Sequence, residues 1–178
     1  MDIRVDNNPD GALFDWVDDD DDNFPVMNDI TGLQDAINKL KPGDSTMIIV
    51  GIKNFGSIAG LANIGLKNLR DDDNGLQEPE IAGSGELSAN VDVVVSYGDK
   101  SEIGDTWDAW YDVFTGTLLE WSSVSPNVDA DSAGGDTLME AGDDDYWVVE
   151  FSINSVVGND IMSDTATFDI EFGLVQQP

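Results

Sequence analysis

The C-terminal segment from Asn159 to Gln176 constrains the fold more than any other stretch of the chain. From Thr165 onward its apolar and polar side chains alternate strictly. One predicted face carries five apolar residues: Ala166, Phe168, Ile170, Phe172 and Leu174. Successive side chains of a β-strand point to opposite faces, so the alternation predicts a long antiparallel strand with one buried and one solvated side.

A second strand with the same pattern comes directly before it. One face carries four apolar residues: Trp147, Val149, Phe151 and Ile153. The opposite face, predicted to be solvated, carries three residues: Tyr146, Glu150 and Ser152. Gly158 and its neighbours then supply turn residues. Two consecutive half-buried strands must bury their apolar faces against a second layer, which the rest of the chain should provide.

Shorter strands are predicted along the rest of the chain, at residues 3–5, 12–17, 47–52, 58–66 and 91–97. The near-continuous apolar run at 47–52 indicates a strand in the middle of a sheet, and a polar loop is expected at 70–80. A capping box at Thr31 and Gln34 predicts a short helix that ends before Pro42.

An aromatic segment interrupts the strand pattern. Trp107, Trp110, Tyr111 and Phe114 recur at three- and four-residue spacing after Asp105. This spacing predicts an amphipathic helix that Asp105 caps and Gly116 ends. A short strand is expected at 118–121 and mostly loop at 122–145. The total of about seven strands with two short helical inserts predicts an all-β sandwich, with residues 1–178 forming one domain.

The charge balance narrows the possible partners. The chain has 37 acidic and 7 basic residues and a formal net charge of −30, although 40% of its residues are hydrophobic. Nucleic acid and anionic membrane surfaces are disfavoured, because both require clustered lysine and arginine. A compact chain so acidic repels itself in dilute buffer, whereas at about 1 M salt the Debye length shrinks to about 3 Å. We therefore expect a protein from a halophile.

The residue types disfavour catalysis. The sequence has no histidine and no cysteine, which excludes Ser-His-Asp and Cys-His sites and the common zinc sites. Carboxylates are so numerous that no pair stands out as an acid and base. No apolar run is long enough to span a bilayer. We expect a protein that is not an enzyme and has no cofactor.

Calcium is the one metal that the sequence leaves open. Asp6, Asn8, Asp10 and Gly11 match the first half of an EF-hand loop, but Val17 stands where the bidentate glutamate belongs and Pro9 lies inside the loop. We reject that motif. Two further groups could offer oxygen ligands from loops: Asn127, Asp129 and Asp131, and Asp71 with Asp73. Solvated acid on a halophilic surface is the favoured interpretation of both.

Several segments together indicate a family. Residues 147–153 and 158–172 resemble the C-terminal signature of the TasA/camelysin-like secreted proteins. Residues 41–44, followed by 48–56, resemble that family's "LKPGD … KN-x-G" strand pair, and residues 2–6 resemble its early "LDLKVD" strand. Residues 74–80 resemble archaeal members. The resemblance implies a jelly-roll-like sandwich that is exported and polymerises with copies of itself into extracellular fibres or pili of biofilms.

In that family an N-terminal donor strand of one subunit inserts into the sandwich of the next. Only Met1 and Asp2 precede the strand at residues 3–5 in this chain, so we expect either a trimmed form or another mode of polymerisation. We expect the acceptor groove to be lined by Ile48, Val50, Phe168, Ile170 and Phe172. The alternative is a monomeric surface or adhesion module, in one version calcium-dependent, with the aromatic residues of 107–121 as its ligand platform.

Overall fold

Alternating apolar strands account for most of the structure, a computed structural model that describes residues 3–6, 40–72, 87–100, 107–124, 128–129, 138–158, 161 and 164–176. Nine β-strands lie in these ranges: β1 (Ile3–Asp6), β2 (Ser45–Asn54), β3 (Gly60–Asp72), β4 (Val91–Lys100), β5 (Trp107–Thr117), β6 (Val128–Asp129), β7 (Leu138–Met139), β8 (Asp144–Ile153) and β9 (Thr165–Gln176). Two short helices accompany them: α1 (Leu87–Asn90) and α2 (Leu118–Ser122).

The strands form two antiparallel sheets. The larger sheet has the order β1-β2-β8-β4-β5. In the smaller sheet β9 runs along one edge of β3, so the two-residue strands β6 and β7 pair with the other edge. The described strands change sheet five times along the chain: between β2 and β3, β3 and β4, β5 and β6, β7 and β8, and β8 and β9. The all-β sandwich predicted from the sequence is confirmed.

The core lies between the two sheets, where every second residue of the long strands points inward. In the larger sheet the apolar residues predicted for β4 and β8 are buried: Val91, Val93, Val95, Tyr97, Trp147, Val149, Phe151 and Ile153. The smaller sheet contributes Ala62, Ile64 and Leu66 from β3 and Phe172 and Leu174 from β9. The rings of Phe151 and Phe168 meet across the gap with centroids 5.9 Å apart. The predicted alternation of β9 is confirmed, since the residues on its opposite face are more exposed.

Three details of the sequence prediction are wrong. Tyr146 was expected on the solvated face of β8 but is fully buried, with Gly51 directly opposite on β2 and Gly98 directly opposite on β4. Two neighbouring glycines leave room for a large ring to lie against the sheet. Ile58 precedes β3 and is 53% exposed. The loop expected at 70–80 is wrong at its start, because residues 70–72 still pair with β9.

The predicted aromatic helix is also wrong, since its residues belong to strand β5. Phe114 of β5 lies opposite Val95 of β4, but the next residue of β4, Ser96, lies opposite Asp112. Val113 is therefore an extra residue in β5. Such a β-bulge changes the phase of the alternation. It places Tyr111 and Phe114 on the same face although they are three residues apart, a spacing that mimics a helix.

The strand expected at 118–121 is a helix instead. Thr117 is the N-cap of α2: its hydroxyl accepts from the backbone N–H of Glu120, and the Glu120 carboxylate accepts from the backbone N–H of Thr117. This capping box satisfies two backbone donors that the first turn leaves open. Trp121 is buried and stacks on Phe114 with centroids 6.2 Å apart. The strand predicted at 12–17 and the helix predicted at 31–39 lie outside the described residues.

Asn54, at the end of β2, links the two sheets. Its side chain is fully buried, and its Nδ2 group donates to the carbonyl oxygens of Ile58 at 2.9 Å and Met139 at 3.2 Å. Its Oδ1 atom accepts from the backbone N–H of Gly56 at 2.9 Å. One amide therefore closes the turn that leads into β3 and holds β7 in place. The residues Asn54 to Ser57 predict a turn after β2, and the chain bends at residues 56–58.

Replacing Asn54 should destabilise the protein strongly. Asn54→Ala leaves buried carbonyl groups and one N–H without their partner, so we expect the free energy of unfolding to fall by about 2–4 kcal/mol. Chemical denaturation in molar salt measures this. Asn154→Ala is the control, because Asn154 is exposed and its side chain accepts from Val156 N–H. The control should lose less than about 1 kcal/mol, and equal losses would contradict the linking role.

Truncations along β9 should report which face is buried. Phe172 is 7% exposed, so Phe172→Ala should cost about 3–5 kcal/mol. Phe168 is only partly buried, and we expect Phe168→Ala to cost less. Thr167 lies on the exposed face, and Thr167→Ala should change the stability by about 0.5 kcal/mol or less. The same denaturation measurement gives all three values, and a different order would show that the faces are assigned wrongly.

Candidate assembly edge

The sandwich has long strand edges that the described part of the chain does not pair. Among the described strands of four or more residues, β1, β5 and β9 each pair with a single neighbour. A strand in that position presents a row of backbone N–H and C=O groups to which another strand can bond. These three edges are the places where a further strand can join a sheet.

The β9 edge, the side of residues 166–176 that faces away from β3, is the most suitable of the three. β9 is 12 residues long and contains no proline. β5 is nearly as long at 11 residues, but its register with β4 shifts twice. Bulges of that kind protect an edge against pairing, because they twist it away. β1 has four residues.

Close packing fixes β9 in register with β3. A Cβ atom on Gly173 would lie 2.6 Å from the Oδ1 atom of Asn63, and a Cβ atom on Gly60 would lie 2.8 Å from the Cγ atom of Leu174. Larger residues would therefore push the two strands apart at both positions. An incoming strand at the β9 edge would therefore meet a strand whose register is already set by its pairing with β3.

The five residues predicted to line an acceptor groove come from both sheets. Ile48 and Val50 point into the core from β2, and Phe172 faces them from β9. These three side chains are buried, with exposed fractions of 9%, 1% and 7% respectively. Phe168 and Ile170 are only partly buried, although they lie on the apolar face of β9. The groove assignment stays a prediction, and its accessible part is the pair Phe168 and Ile170.

The solvated face of β9 carries charge that β3 partly offsets. Lys67 Nζ lies 3.9 Å from Glu171 Oε2, and Asn68 donates through Nδ2 to Asp169 at 2.6 Å. Asn68 has a φ of +53°, a left-handed conformation that asparagine tolerates better than most residues. It lies in the bulge where β3 shifts register against β9. These contacts are made by side chains, so they use none of the backbone groups of the β9 edge.

The positions considered for calcium divide into two groups. Asp71 accepts hydrogen bonds from both the backbone N–H and the hydroxyl of Ser88, so its carboxylate holds the start of α1. Asp6 and Asp129 are the last residues of the strands β1 and β6. The other positions lie outside the described residues: Asn8, Asp10, Gly11, Asp73, Asn127 and Asp131. Within the described ranges, no three acidic side chains come close enough together to hold a metal ion.

Three of the five aromatic residues of the alternative ligand platform have described side chains. Trp121 is buried in the core and Phe114 is half-buried against it, whereas Tyr111 is 38% exposed. The side chains of Trp107 and Trp110 lie outside the described part of the chain, so the platform stays a prediction. Neither described helix is long and apolar enough to cross a membrane.

Sequence reasoning missed the role of Asn54, which it treated as a turn residue. The signal was present as Asn54 two residues before Gly56, a spacing at which an asparagine side chain bonds the backbone ahead of it. The bond to Met139, 85 residues away, has no local signal.

Comparisons with known proteins give the chain no family assignment. No protein-family model matches the sequence. No curated protein matches it either.

Proposed function

We propose that this protein is an extracellular structural subunit that polymerises with copies of itself into fibres, pili or biofilm matrix by donor-strand complementation. An extended segment of one subunit pairs with the β9 edge of the next. The observation that supports this proposal is that β9 is long and has no bulge, and that its apolar face is only partly buried at Phe168 and Ile170.

The energetics favour a strand as the occupant. An added strand satisfies the backbone groups of the β9 edge with ladder hydrogen bonds, while every second side chain lies over the apolar face beside Phe168 and Ile170. A small ligand could cover those side chains but would leave the backbone row unpaired. A structural subunit needs no cofactor and no catalytic group, in keeping with the lack of histidine and cysteine.

The net charge of the chain determines the salt concentration at which two subunits can approach each other. Two chains of formal charge −30 repel each other strongly at low ionic strength, and this repulsion acts over about 10 Å at 0.1 M salt. At about 1 M salt the range falls to about 3 Å. Assembly is therefore expected in the salt of a halophile's surroundings and not in dilute buffer.

The first test measures stability against salt. If the acidic surface is an adaptation to salt, the melting temperature should rise steeply from dilute buffer to molar potassium chloride, because screening removes self-repulsion in the compact state. Thermal unfolding followed by circular dichroism measures it. Sucrose at matched osmolarity controls for solvent effects that do not involve charge. A melting temperature that does not depend on salt would refute the halophile proposal.

The second test examines assembly in the native cells. Electron microscopy of the secreted material in molar salt should show filaments for the wild type and none for Ile170→Lys, because an inward-pointing lysine blocks strand addition. Thr167→Lys is the matched control, since it adds the same charge on the exposed face of the same strand. It should leave the filaments intact.

Folding must be checked separately for that experiment. Ala166→Lys is a second variant on the apolar face, at a smaller and partly buried side chain. Circular dichroism and the melting temperature show whether each variant folds. Folded lysine variants that still form filaments would overturn the proposed edge, and a wild type that stays monomeric would favour the surface-module alternative.

A further inference from the structure

No further inference is drawn: the strongest candidate, the buried strip of Gly51, Tyr146 and Gly98 across the outer face of the larger sheet, carries none, because nothing in the described part of the chain shows what covers it.

Discussion

The buried amide of Asn54 is the contact on which the relation of the two sheets depends. It ends β2 in the larger sheet, and its side chain binds backbone groups on the path into β3 and in β7 of the smaller sheet. Its own backbone also takes part, since its N–H donates to the carbonyl of Asp143 at 3.0 Å and its carbonyl accepts from Gly142 at 2.8 Å. Apolar packing between the sheets has no direction, so hydrogen bonds of this kind select one alignment among many that bury similar area.

The alignment of the two sheets also determines the position of β9. Once β3 is positioned, Gly60 and Gly173 allow β9 to approach it closely, and β9 becomes the outer strand of the smaller sheet. Its inward face then covers the core at Phe172 and Leu174 but is only partly covered at Phe168 and Ile170. Among the described strands, β9 pairs only with β3, so its other edge has no described partner.

Salt concentration decides whether two chains this acidic can approach each other. The chain carries a formal charge of −30, and net charge of this size keeps a protein dispersed in dilute buffer. On β3, Lys67 and Arg70 lie beside the carboxylates of β9, which offsets part of the charge there. Molar salt reduces the cost of bringing the remaining charge together.

Local patterns in the sequence determined the long strands. The alternation in β8 and β9 and the apolar run in β2 predicted their position, their faces and most of the core, because a period of two follows from backbone geometry alone. The acidic composition and the lack of histidine and cysteine determined which chemistry was excluded. The capping box of α2 was also readable, as Thr117 followed by Glu120, but the prediction of a short strand missed it.

Contacts between distant strands decided the features of the fold that the sequence did not predict. The aromatic spacing of residues 107–114 fits a helix in isolation, and only pairing with β4 shows that a bulge at Val113 produces it. Tyr146 is buried because Gly51 and Gly98 arrive on either side of it from strands about 95 and 48 residues away along the chain. Leu61, Leu138 and Val175 lie side by side only because three strands pair at this point. The sequence by itself thus determined which residues alternate, whereas the neighbours that each residue meets depend on contacts between distant segments, which no local period encodes.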